Sequence, residues 1–455
     1  MRMLKNMITC LNNLKQPNGC ICLKLIKEVV AYFILFFLSF LNNITLTLFL
    51  LLLLLLFSQK ELGAIKIILL VSLRGLINPG IAVQFTGIFS IIKYIYLFLP
   101  SIYLLFCSNF INNIKNKDIN KLLLLYFVLF LYIIFQSMLF SSYPIISISK
   151  FISYAFIFVS IIIGLKNTNI QEVFQYFKIW IILIFIASIP LYFFEVGYLR
   201  NGHAFQGLIN HPNIYGVFCS LVLTIVLISD YNYKGVFIKI FYAILSMTCI
   251  YLSESRTAMF TAVFSIACYM FYSNKINLNT KIVMILCVIF GIPLLSMIPR
   301  INDLINDFIL KGYDNIFFSR SNQIQMFIEK MKFNALFGTG FLTPFVPYKQ
   351  QFIFSFNYVV EDGNILLATL GYIGIIGFII IAYIYYFIFS RNRDKKYIVL
   401  FFVPILISFG EMTFYSSNNM ACLFYICYGI YFYSGINIFK KHSQKCLNIQ
   451  KKNDI

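Results

Sequence analysis

The sequence predicts an all-α protein, a polytopic transmembrane helical bundle of about 12 to 14 spans, with one large extracytoplasmic loop containing amphipathic helices. Three observations predict it. Hydrophobic residues form 60% and charged residues 11% of the 455-residue chain, with a mean hydropathy of +0.85, whereas a soluble domain carries about 25% charged residues. The apolar residues come in long runs, and a run of about 20 crosses the hydrocarbon core of a bilayer as a helix. Between two such runs lies a polar excursion, Pro299 to Gly363, which must emerge into water because lipid offers its backbone no hydrogen-bond partners.

The net charge of +20 does not indicate a nucleic-acid partner. The basic residues cluster at the termini and in short loops, where Lys and Arg set the orientation of membrane helices. The eleven Cys show no metal-ligand spacing and sit mostly singly in apolar runs, so neither a metal centre nor a disulfide framework follows. No small-residue cleavage site follows the basic start of the chain, and the first helices are expected to stay in the membrane.

Residues 1–28 form a basic cytoplasmic N-terminus, and residues 29–298 the main transmembrane bundle. The first apolar stretch, Val29 to Phe57, would run about 43 Å as one helix against about 30 Å of hydrocarbon. A hairpin turning at Asn42 and Asn43 is therefore preferred to one steeply tilted helix. Spans follow near 63–78, 86–107, 121–140, 146–165, 174–194, 213–229, 236–253, 257–273 and 281–298. The extracytoplasmic loop takes 299–363, the C-terminal spans lie within 364–438 (near 364–390, 397–412 and 420–438), and 439–455 form a basic cytoplasmic tail. Counting back from the basic loop Arg391 to Lys396 puts the loop, the Arg200 to Asn213 segment and Glu254 to Arg256 on one outer face. The loop is read as the lid of an active site, with helical spacing over 301–310 and 321–333. In the second of these, Ile324, Phe327 and Met331 form an apolar stripe with Glu329 and Lys330 off it.

Basic residues on the outer face oppose the orientation rule, and Arg200, Arg256, Arg300 and Arg320 are all Arg. A guanidinium offers a planar fork of donors suited to phosphate and stays charged when partly desolvated. The ordinary alternative for each is a snorkelling or loop-stabilising role. His203, His211 and Asn213 share the segment RNGHAFQGLINHPN (200–213), in which Pro212 suits a helix start and Asn210 could cap it. His211 could take a proton, and His203 and Asn213 could contact substrate. Two His without a carboxylate set do not make a metal site. Glu254 and Arg256 either pair with each other or act separately. Glu361 and Asp362 precede a span, and either cap it or supply a general base. No nucleophile elbow, phosphate-binding loop or dinucleotide fingerprint occurs, so no cofactor is expected.

Four landmarks in order carry a resemblance. Arg200 is followed by NHPN (210–213) and Gly216, SRTA (255–258) opens a span, Arg320 precedes GTGF (338–341), and the helix from Asn364 to Leu367 is followed by Gly371 and Gly374. Together they resemble the O-antigen polymerase and O-antigen ligase family of bacterial envelope enzymes. The resemblance implies a metal-independent glycosyltransferase using sugars on a polyprenyl pyrophosphate, at the outer face of the cytoplasmic (inner) membrane. Arg200, Arg256 and Arg320 would then contact the pyrophosphate or shape the site. Donor and acceptor are both lipid-linked oligosaccharides, and a chain-length regulator is a further candidate partner. The ligase branch carries a His directly before the Asn that opens the following span. Here the stretch reads Glu361, Asp362, Gly363, Asn364, and no His occurs from 212 to 441. That departure favours an inverting polymerase of O-antigen or capsule type, with Asp362, Glu361 or His211 as the base. A ligase is the first rival. A transporter is the second, with Lys93 and Arg74 as the deepest ionisable residues, but no matching halves are visible.

Overall fold

The computed structural model describes residues 17–107, 115–229, 235–272, 320–345 and 363–434 apart from 393 and 412, and singly 279, 303 and 306. Arg300, Glu361, Asp362, the span expected near 281–298 and most of the helix expected over 301–310 lie outside the described residues. Among the described residues the architecture is helical, and the one extended pairing is an isolated antiparallel bridge between Ile77 and Ile209.

The helices are α1 (Pro17–Leu38), α2 (Asn43–Leu53), α3 (Lys60–Gly75), α4 (Ile88–Ile102), α5 (Lys117–Phe140), α6 (Pro144–Lys166) and α7 (Ile170–Ser188). They continue with α8 (Pro212–Ile228), α9 (Gly235–Leu252), α10 (Arg256–Tyr272), α11 (Ser321–Asn334), α12 (Ile365–Arg391), α13 (Ile398–Ser408) and α14 (Met420–Ser434). Among the described residues, six helical stretches are long and apolar enough to cross a membrane: Asn43–Gly75, Ile88–Phe106, Lys117–Phe140, Pro144–Lys166, Ile170–Phe193 and Ile365–Arg391. The chain is a multi-pass membrane protein.

The hairpin at the asparagines is present. Asn42 caps α2, its side chain accepting from the Thr45 N–H at 2.9 Å while Thr45 Oγ1 accepts from the Asn42 N–H at 3.2 Å. This reciprocal cap satisfies two orphan donors and fixes the helix start. Downstream, Lys60 adopts φ 57° and folds α3 back onto the 3₁₀ turn Leu54–Gln59. At the foot of that fold Lys66 donates to Glu28 at 2.7 Å and to Gln59 at 2.6 Å.

Burial separates two kinds of helix. Every residue of α14 is buried, and α8 is nearly as enclosed, so both are apolar all round and form the centre. α14 packs against α3, α6, α7, α12 and α13. Outer helices keep an exposed apolar stripe, such as Ile88, Ile91, Ile95, Leu99 and Ile102 on α4. Spacing of three and four residues puts these on one face, the face that lipid covers. Arg74 is 1% exposed and fastens two turns, donating to Ser39 Oγ at 2.8 Å and to the Val83 carbonyl at 2.6 Å. It thereby braces the end of α1 and the stretch after α3.

Candidate functional site

The polar segments meet at one end of the bundle. Segment 194–211 is sewn to the end of α3: the Asn78 N–H donates to the Leu208 carbonyl at 2.7 Å and the Asn210 N–H to the Leu76 carbonyl at 2.8 Å. The Phe205 N–H donates to the Leu252 carbonyl at 2.8 Å, which ties the same segment to the α9–α10 turn. Gly216 lets α8 approach that turn, since a Cβ there would lie 2.5 Å from Ser253 Oγ and from Ser255 Cβ. Gly410 plays the same part for the turn after α13, where a Cβ would collide with Thr257.

These contacts set the candidate side chains. His211, not Asn210, caps α8: its Nδ1 accepts from the Asn213 N–H at 3.2 Å, with Pro212 at the first helical position. A ring nitrogen with φ/ψ in the extended region at the N-cap reaches this N–H, which Asn210 one residue earlier does not. With Nδ1 accepting, neutral His211 carries its hydrogen on Nε2 and offers a donor there. Burial first, and the charge of Arg200 second, hold His211 below the ordinary imidazole pKa. Asn213 Nδ2 in turn donates to Glu411 Oε1 at 2.7 Å.

Arg320, at the N-cap position of α11, is spoken for to a large extent. Its Nη1 donates to the carbonyls of Gly363 at 2.9 Å and Phe409 at 3.0 Å, and its Nη2 to Gly410 at 2.9 Å. The structure gives this Arg a loop-stabilising task, as the knot between the end of the loop, α11 and the α13–α14 turn. Among the described residues, Nε–H and one Nη2–H have no acceptor and can serve a ligand. Its pKa is lowered, by burial first, with Arg256 acting in the same direction and Glu411 opposing. Arg256 and Glu411 therefore flank Arg320.

The described part of the loop packs against the bundle. α11 packs on α12, and its most buried residue is Lys330, 1% exposed and 4.6 Å from the Tyr372 ring centre. The stripe through Ile324, Phe327 and Met331 is thus joined by Lys330, which helical spacing alone had put outside it. GTGF follows, against a break in α12: Gly374 has φ 63° and ψ −174°. The Thr339 and Gly340 N–H groups donate to the Gly371 and Tyr372 carbonyls at 3.1 and 3.0 Å. The Ile375 and Ile376 N–H groups donate to Ala335 and Leu336 at 3.0 and 3.2 Å. The groups freed by the break are thus paired, as a membrane helix requires. A Cβ at Gly338 would lie 2.5 Å from the Tyr372 carbonyl carbon, so the two backbones can meet there only through glycine.

Of the residues expected from sequence, Asn213 hydrogen-bonds Glu411, Arg320 lies within electrostatic reach of both Glu411 and Arg256, and His211 lies within reach of Arg200. His203 stands apart: its side chain is 65% exposed and its Nε2 lies 3.5 Å from Glu254. Glu411 escaped the sequence reading because it falls where an apolar span was expected to end. A carboxylate within such a stretch is the signal that could have found it. Among the described residues no cluster of His, Cys, Asp and Glu could hold a metal ion.

A family model described as O-antigen ligase matches residues 241–382, just under a third of the chain. The match runs from α9 across Arg256, Arg320, GTGF and the α12 break. No curated protein matches the chain.

Proposed function

Taking the chain as a membrane protein of the O-antigen polymerase and ligase family, with which the match over residues 241–382 is consistent, we propose that it polymerises a surface polysaccharide of O-antigen or capsule type. One lipid-linked glycan is transferred from its polyprenyl pyrophosphate to a sugar hydroxyl on a second lipid-linked unit, at the outer face of the inner membrane. The observation that carries the proposal is the convergence of Arg256 and Arg320 around Glu411 and Asn213.

The chemistry follows from the donors available. As the anomeric C–O bond breaks, its electron pair passes to the pyrophosphate oxygen, and negative charge grows there. Arg256, the two remaining N–H groups of Arg320, Arg200 and the Nε2–H of His211 suit that charge, and all but Arg200 are partly desolvated, which strengthens their hold. The acceptor hydroxyl attacks the same carbon from the opposite side, inverting it, and its proton goes to a carboxylate. Glu411, held by Asn213 beside the Arg pair, is the described residue suited to take it. Asp362 and Glu361 remain candidates because Arg320 pins the adjoining Gly363 to the site. His211 serves better as a donor than as the base.

The ligase reading has the family model's description on its side. The polymerase reading has Gly363, not His, before Asn364. Deleting the gene separates them: polymerase loss leaves single repeats on the surface, and ligase loss strands long chains on the carrier. For the site, purified protein is given a defined lipid-linked repeat, and wild type is compared with Arg256→Ala, Arg200→Ala, Glu411→Gln and Asp362→Ala. Full elongation by Arg256→Ala and Arg200→Ala together would remove the leaving-group role.

A further inference from the structure

A polymerase must hold two lipid pyrophosphates at once, and two such anions in one small cluster would repel each other strongly. A second cationic site is therefore worth seeking away from Arg256 and Arg320. The molecule holds a buried-side cation that none of the preceding chemistry uses.

Lys93 lies in the second turn of α4. The lipid-facing stripe of that helix runs through Ile91 and Ile95, two residues to either side, so Lys93 points roughly opposite to it. The residues in line with Lys93, Leu97, Pro100 and Leu104, face inward and are buried. Lys93 is only half-buried, and its ammonium sits 5.1 Å from the Tyr94 ring centre. Among the described residues it makes no hydrogen bond and no ion pair.

The surroundings are polar and incompletely satisfied. The Lys93 stem passes 3.8 Å from the Cβ position of Gly75, and the same position lies 2.5 Å from Asn419 Oδ1. That Asn419 oxygen is buried and has no partner, and Asn419 itself is held at φ 54°. Next to it, Asn418 Nδ2 donates to Tyr94 Oη at 3.0 Å, bracing α4 against the turn before α14. An unneutralised ammonium and an orphaned amide, side by side in a membrane protein, are costly unless a guest completes them. The Asn419 amide turns end for end at little cost of shape, so the position can offer an N–H to an anion.

We infer that Lys93, with Asn419 and Tyr94, forms a second phosphate-binding recess that holds the pyrophosphate of the other lipid-linked unit. The inference rests on the polymerase reading for the identity of that lipid. α4 is an outer helix, so a polyprenyl chain can lie along its exposed stripe while the phosphate turns inward to Lys93. The turn that carries Asn419 also carries Glu411, which links the recess to the candidate site through one short segment.

The test is binding stoichiometry, measured by native mass spectrometry on purified protein with polyprenyl pyrophosphate and no turnover. Wild type is expected to bind two equivalents. Lys93→Met and Asn419→Asp are expected to bind one, the second variant because its carboxylate keeps the size and left-handed tolerance of Asn while pairing with Lys93. Lys93→Arg should keep two. Two equivalents in both Lys93→Met and Asn419→Asp overturn the inference. Displacement of the second equivalent by an equal concentration of phosphatidylglycerol also overturns it, by making the recess a site for ordinary lipid; resistance to phosphatidylglycerol supports it. A wild type that binds two equivalents but never elongates sinks the polymerase reading and leaves the recess standing.

Discussion

Removing the Arg320 guanidinium should damage both the fold of this end and the reaction. In Arg320→Ala three hydrogen bonds, to the carbonyls of Gly363, Phe409 and Gly410, are lost, and among the described residues only the Phe409 carbonyl keeps a second donor, Asn364 Nδ2 at 3.2 Å. A hydrogen bond involving a charged group contributes about 1.5–3 kcal/mol. At a half-exposed position water replaces part of it, and about 1 kcal/mol each is the fitting figure. The loss is therefore about 3 kcal/mol, on the sum of three bonds. Arg320→Lys keeps the charge but, with a point ammonium, cannot span carbonyls from three residues, and should recover about a third of that loss. The assay pairs thermal unfolding in detergent with elongation of a defined lipid-linked repeat. Arg320→Ala should lower both, and Arg320→Lys should regain more elongation than stability if the charge acts on the pyrophosphate. Unchanged unfolding in Arg320→Ala would refute the reasoning from its three carbonyls.

Three further outcomes follow from the same physics. His211 is held below the imidazole value, so between its folded pKa and about 6.5 the unfolded chain binds more protons; stability is present above that window and falls as pH drops through it. Arg200→Ala should raise the lower end of this window towards its fixed upper end and so shrink the acid loss of stability, read by unfolding across pH, and an unchanged acid loss would contradict the coupling. Gly374→Ala and Gly338→Ala place a Cβ against backbone across the α12 break and should abolish stable protein or activity, while Gly202→Ala, at φ 77° with open space around it, should cost only about 1–2 kcal/mol. Lys66→Met and Glu28→Gln singly strand one member of a buried pair and should each cost about 3–5 kcal/mol, with the double variant recovering much of it; additive losses would show that the two do not act as a pair.

Helix positions were readable in advance because lipid imposes one demand on every span, a run of apolar side chains of fixed length. The expected spans 121–140, 146–165 and 213–229 fall within four, two and one residues of the ends of α5, α6 and α8. The signal at Asn42 and Asn43 was equally local, since two polar residues in a long apolar run either turn or cost free energy. Lys330 was misjudged because helical spacing gives a face but not its neighbour, and an ammonium over Tyr372 with an aliphatic stem against Gly371 is a buried solution that spacing cannot foresee.

Arg200, Arg256, Arg320, His211 and Asn213 were marked as candidates by residue type and by the face on which loop counting put them. Composition and periodicity determined a many-helix membrane protein with its polar residues in a few short segments, since that much depends on each stretch and its solvent alone. Tertiary structure decided which donors are left over. Arg320 spends three N–H groups on carbonyls up to 90 residues away, His211 turns one nitrogen to its own helix, and Glu411 joins them from a turn almost 200 residues beyond Asn213. Hydrogen-bond capacity is shared among whatever the fold brings within about 3 Å, and no local stretch of sequence contains that information.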